Sequence, residues 1–215
     1  AVRHFEAVLE QDGDHVEALE GKGLSIMARG DTTEASKFFS RVVKQDSTRW
    51  QTLNAIGILF TMKHMVDEGM AYYEEALTHN GDNVSVLNNV GLSLLINKEY
   101  DKAVEALEKA RLKVSSDHAE KKRVDLNLAL AYGMAGRLDE AEETAGVHLS
   151  EAALYNNMGF YAQLAKDPEV ARGYLNMALM NSPVYYERAW GNLEALDETG
   201  GGKKKKAERT ASPSQ

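Results

Sequence analysis

Small and bulky apolar residues return along this chain at a fixed interval. Gly23, Gly57 and Gly91 lie 34 residues apart, and so do Leu19, Leu53 and Leu87, four residues earlier in each stretch. Phe39, Tyr73 and Leu107 keep the same interval, as do Ala35 and Ala103, with Gly69 between them. Between these markers apolar residues recur at the three- and four-residue steps of a helix face. Each interval is therefore read as a pair of helices, A and B. The small residues let A and B approach closely, and the large ones fill the space between neighbouring pairs.

A 34-residue helical period resembles the tetratricopeptide repeat (TPR). Laid on the chain, that pattern gives units 16–49, 50–83 and 84–117 without a gap. Each has a large apolar residue at position 4, small residues at positions 8 and 20, and a bulky apolar one at position 24. Leu87, Gly91, Leu94, Ala103, Leu107 and Ala110 fit it most fully. The register then slips by four residues, and Ala129, Tyr132, Gly136 and Ala141 restore it in a short irregular unit, 118–151. Unit 152–185 follows, with Tyr155, Gly159, Ala171, Leu175, Ala178 and Pro183 in place. Before Val16, Ala1 and Phe5 take positions 20 and 24, so residues 1–15 read as the second helix of a truncated unit. The resemblance implies an all-α TPR solenoid, a right-handed superhelix of antiparallel helix pairs.

At the far end, residues 186–198 read as a C-terminal capping helix that covers the last apolar face. Residues 199–215, "TGGGKKKKAERTASPSQ", carry no bulky apolar side chain and read as a disordered basic tail. The chain opens on Ala1 inside a predicted helix rather than on Met, so the true N-terminus is expected upstream of Ala1, where any signal peptide or lipid-attachment site would lie.

Composition sharpens this picture. Only 3 Pro occur in 215 residues, as a helical chain requires, and there is no Cys to form a disulfide or a thiolate metal site. The net charge is -8, yet the tail carries five cations (Lys203, Lys204, Lys205, Lys206, Arg209) against Glu208. An acidic body argues against nucleic acid as a partner. No apolar run reaches the roughly 20 residues that span a bilayer.

Catalytic motifs are missing. "GGGKKKK" lacks the strand and helix of a phosphate-binding loop, Gly21 and Gly23 lack a third glycine, and neither H-E-x-x-H nor G-x-S-x-G occurs. His4, His15, His64, His79, His118 and His148 are scattered without helical metal spacing and read as surface or turn residues. Glu74–Glu75 and Glu142–Glu143 read as solvated helix faces. The expectation is a non-enzymatic protein with no cofactor, no metal and no small-molecule substrate.

In a TPR array the A helices line the inner face. Position 9 gives Leu24, Ile58, Leu92, Leu130 and Phe160, an apolar stripe, and position 5 gives Glu20, Asn54, Asn88, Leu126 and Asn156. Asparagine can bond both the N–H and the C=O of an extended segment. The candidate partner-binding residues are therefore Leu24, Asn54, Ile58, Asn88, Leu92, Leu130, Asn156 and Phe160, suited to an apolar or amphipathic segment. The competing reading is that the stripe is packing. A clamp for acidic tails would need clustered cations, and only Arg123 qualifies.

"RVDLNLALAYGMAGRLDEAEETA", "LYNNMGFYAQL" and "SPVYYERAWGNLEAL" together resemble the TadD-like TPR proteins of Tad (tight adherence, Flp-type) pilus assembly. The resemblance covers Arg123 to Leu196, and Pro183, Val184, Tyr185 and Tyr186 followed by Ala189, Asn192 and Leu193 are its most distinctive part. It implies a lipoprotein on the periplasmic face of the outer membrane, a pilotin or assembly factor that supports a secretin or other Tad pilus component. Two alternatives stay open: an accessory TPR region of a larger enzyme, and a cytoplasmic TPR cochaperone.

Overall fold

The computed structural model describes residues 2–115, 118–182 and 186–201, and those residues form twelve helices. They fall into two compact units, divided after Asp117. Unit 1 holds α1 (Val2–Gln11), α2 (Val16–Met27), α3 (Thr32–Gln45), α4 (Trp50–Met62), α5 (Val66–Asn80), α6 (Val84–Ile96) and α7 (Tyr100–Lys113). Unit 2 holds α8 (His118–Met134), α9 (Leu138–Gly146), α10 (Glu151–Leu164), α11 (Pro168–Met180) and α12 (Glu187–Gly201). The all-α fold of stacked helix pairs is the one expected. In unit 1 the A helices α2, α4 and α6 open at Val16, Trp50 and Val84, again 34 residues apart.

The period has a direct steric cause. Positions 8 and 24 face each other inside each pair: a Cβ on Gly23 would stand 2.6 Å from Phe39, on Gly57 2.5 Å from Tyr73, and on Gly91 2.4 Å from Leu107. Gly159 repeats the arrangement against Leu175 in unit 2, at 2.7 Å. Phe39, Tyr73, Leu107 and Leu175 are all buried, so each bulky side chain is seated directly over a missing one. Phe5 of α1 fills the same kind of gap over Gly21.

The A-to-B turns share a second rule. Gly30, His64 and Lys98 in unit 1, and Gly136 and Lys166 in unit 2, all have positive φ, between 59° and 89°. Each is position 15 of its repeat, once the four-residue slip before Gly136 is allowed for. The left-handed residue reverses the chain within a short turn, and glycine meets it at the least steric cost. Helix starts are fixed locally: Asp31 accepts from the Glu34 amide at 2.9 Å, Asn83 from Ser85 and Val86, and Asp167 from Val170 just before Pro168 closes the first turn.

Packing follows the chain. In unit 1, α2 touches α3 and α4, α4 touches α5 and α6, and α6 touches α7, while α1 covers the free side of α2. In unit 2, α8 and α9 pack on α10, α10 on α11, and α12 on both α10 and α11. Leu196 of α12 joins Ala162, Ala171 and Leu175 in one buried cluster, with Leu193 beside it, so α12 closes the last pair. That helix runs to Gly201, three residues past the expected close at 198. Residues 202–215 of the expected tail, and Pro183, Val184 and Tyr185, lie outside the described residues.

The irregular unit also differs in proportion from its neighbours. α8 has 17 residues and α9 only 9. Tyr161 of α10 lies over Gly133 of α8, where a Cβ would come within 2.5 Å of its ring. His148, expected at the surface, is instead half-buried, its Nε2 2.7 Å from Oδ2 of the fully buried Asp125. That pair ties the segment after α9 back to α8.

Candidate functional site

The A helices of unit 1 present an apolar strip. At position 9, Leu24 is 38% exposed, and Ile58 and Leu92 are half-buried. Four residues further along the same helix faces stand Met62, 60% exposed, and Ile96, 47% exposed. In unit 2 the same two positions carry Leu130 and Met134 on α8, both half-buried, and Phe160 and Leu164 on α10, 42% and 41% exposed. Ala28 is the one small residue in the series. Met62, Ile96, Met134 and Leu164 occupy position 13 of their repeats, one turn beyond position 9, and were not among the candidate residues named from the sequence.

The asparagines are placed differently from the expectation. Asn88 and Asn156 are buried, at 2% and 3% exposure, which withdraws their amides from a passing main chain. Asn156 Oδ1 accepts from Asn192 of α12 at 3.0 Å. Asn54 is half-buried, and its Oδ1 accepts from Asn89 of the next A helix at 2.9 Å. The Asn54 and Asn156 amides thus bond helix to helix. A buried polar side chain must find such a partner, and the adjacent repeat supplies one.

Other polar groups beneath the strip serve the same end. The buried carboxylate of Glu20 receives Arg49 Nη2 at 2.5 Å and Thr52 Oγ1 at 2.8 Å, with Arg49 also reaching Glu17 at 3.3 Å. The desolvation cost of burying Glu20 is offset by a paired guanidinium and a hydroxyl. Further along, Thr61 Oγ1 lies 2.7 Å from Ser93 Oγ and 3.3 Å from the Tyr73 hydroxyl. Burial pushes the Tyr73 hydroxyl above its ordinary pKa, so it remains a neutral hydroxyl in this cluster, accepting from Ser93 Oγ at 3.4 Å. Successive A helices are held in register by side-chain bonds, leaving the apolar residues at positions 9 and 13 to meet whatever lies outside.

Two arginines at the A helices are engaged in ion pairs. Arg123 pairs with Glu120 at 3.4 Å, and Arg49 is committed to Glu17 and Glu20. Among the described residues no group of three or more His, Cys, Asp or Glu could hold a metal ion, and no helix is long and apolar enough to cross a membrane.

Comparison with known proteins agrees with this geometry. The tetratricopeptide-repeat model matches residues 1–49 and 66–117. The matched stretches carry α1 to α3 and α5 to α7. No curated protein matches the chain in sequence. Among solved structures, PilF of Pseudomonas aeruginosa is similar at a TM-score of 0.63 and 20% identity, covering 90% of this chain and 87% of that one. YrrB, described as a TPR protein with an unusual peptide-binding site, gives 0.65 and 17%, over 89% of this chain and 98% of its own. PilW, described as a type IV pilus biogenesis factor, gives 0.64 and 15%, over 92% and 94%. At these identities the likeness is one of fold.

Proposed function

We propose that this chain is a protein-interaction scaffold for assembly of a Tad-type pilus, capturing an apolar or amphipathic segment of a secretin or another pilus component. The carrying observation is made in each unit by itself at positions 9 and 13: Leu24, Met62 and Ile96 in unit 1, and Phe160 and Leu164 in unit 2, are large, apolar and exposed on regular helices. Repeats that bond their own polar groups internally and leave apolar ones outside are suited to a partner that brings apolar anchors. The pilus assignment rests on the sequence resemblance between Arg123 and Leu196. PilW and PilF share the fold, and the former is a pilus biogenesis factor by its description.

On this reading the protein works at the periplasmic face of the outer membrane, held there by a lipid anchor upstream of Ala1. An apolar surface at positions 9 and 13 disfavours the cochaperone alternative, whose acidic ligands call for clustered cations. A photo-crosslinking amino acid at position 62 or 160 tests the proposal in pilus-bearing cells. Crosslinks to a secretin or pilus subunit support it. Crosslinks confined to cytoplasmic chaperones would remove it.

A further inference from the structure

Unit 2 has a second recess, away from the strip. α9 and α11 both pack on α10, and between them lies a hollow of about 410 Å³ lined by Glu142 of α9, Tyr155 of α10, and Val170, Gly173, Tyr174 and Met177 of α11. The rings of Tyr155 and Tyr174 are stacked, 6.3 Å apart at 24°. Glu142, expected on a solvated face, is half-buried, and its Oε2 accepts from the Tyr174 hydroxyl at 3.1 Å. A carboxylate offers about four acceptor sites, and this bond uses one of them. Val170 and Met177 are exposed, and nothing lies within 4 Å of the place where a Cβ on Gly173 would stand, so the α11 wall is open.

Two aromatic faces beside one carboxylate, with a thioether and a branched aliphatic side chain at the rim, form a receptor for a cation on an aliphatic stem. We propose that this hollow binds a lysine or arginine side chain presented by a partner protein, paired with Glu142 and set against Tyr155 and Tyr174. Charge complementarity selects that occupant. Asp139 and Glu143 share α9 with Glu142, and Glu169 stands in the first turn of α11. The neighbouring cations are turned to other groups: Arg137 to Glu140 and the Tyr132 ring, and Arg172 to Asp197 at 2.5 Å. The Tyr174 hydroxyl, pushed up to about 12 by burial and by Glu142, stays a donor to the carboxylate and holds it in place.

The test is a titration of the full chain, followed at the Met177 methyl resonance, with the peptide acetyl-Gly-Gly-Arg-Gly-Gly-amide. The control peptide carries citrulline, which keeps the shape of arginine and removes its charge. Saturable shifts with the arginine peptide alone are expected, with affinity at least tenfold weaker in Glu142→Gln and unchanged in Glu143→Gln. Equal binding of the citrulline peptide would overturn the proposal, as would equal affinity in Glu142→Gln. Truncation of residues 202–215 identifies the source: unchanged affinity supports a partner's cation. A tenfold gain would mean that the chain's own lysines compete for the hollow, and would overturn the assignment to a partner.

Discussion

Replacing Gly57 by alanine should destabilise unit 1, even though alanine is the better helix former. A Cβ at that site would stand 2.5 Å from Tyr73 Cε1, where ordinary contact begins at 3.4 Å, so the ring must retreat by about 0.9 Å (3.4 less 2.5). Tyr73 is buried, and its hydroxyl sits between Thr61 at 3.3 Å and Ser93 at 3.4 Å, so the retreat disturbs that cluster too. Overpacking of this kind costs about 1–3 kcal/mol. Disturbing the hydroxyl cluster adds about 1 kcal/mol. The gain in helix propensity returns about 1 kcal/mol. The net expectation is a loss of about 2 kcal/mol.

Gly191→Ala is the matched control, because nothing lies within 4 Å of its would-be Cβ in α12. It should gain the propensity term of about 1 kcal/mol without the clash. The chain's two tryptophans make the assay local: Trp50 lies in α4 of unit 1 and Trp190 in α12 of unit 2. Urea unfolding followed by fluorescence, with Trp190→Phe to isolate Trp50, reads unit 1. A Gly57→Ala protein as stable as the parent, or more so, would refute the argument that close approach of positions 8 and 24 sets the period.

Three further outcomes follow from other contacts. Lys98 is non-glycine in a left-handed turn, with φ of 62°, so Lys98→Gly should raise unit 1 stability by about 1 kcal/mol in the same Trp50 assay. His148→Ala removes the imidazole 2.7 Å from the buried Asp125 carboxylate and should cost unit 2 about 3 kcal/mol, read by Trp190 in urea. Tyr174 should ionise near pH 12 in ultraviolet titration, with Glu142→Gln lowering that midpoint. Since an unfolded tyrosine ionises near pH 10, the stability that Tyr174 contributes is fully present below pH 10 and is lost as pH rises towards about 12. An alkaline unfolding series comparing Tyr174→Phe with the parent measures that loss.

Much of the fold was legible because steric complementarity repeats: a glycine facing a bulky residue leaves a mark every 34 residues, and Gly23, Gly57 and Gly91 carry it. The polar residues were not. Nothing in the sequence tells an asparagine that reaches for a passing peptide from one that is enclosed between helices, and Asn88 and Asn156 proved to be enclosed. His148 and Glu142 looked like surface groups because their partners, Asp125 and Tyr174, are 23 and 32 residues away in sequence. Met62, Ile96 and Leu164 stood one turn beyond a position already singled out, and their exposure depends on where each helix ends.

The claim that the strip captures a partner is tested most directly by affinity purification from the envelope of pilus-bearing cells, with Met62→Asp plus Ile96→Asp compared against the parent chain. Both side chains are exposed, so the double variant should keep its helical circular dichroism. The account predicts that the parent recovers a secretin or pilus component and that the variant loses at least tenfold of it. Equal recovery by a folded variant would contradict a binding role for the strip.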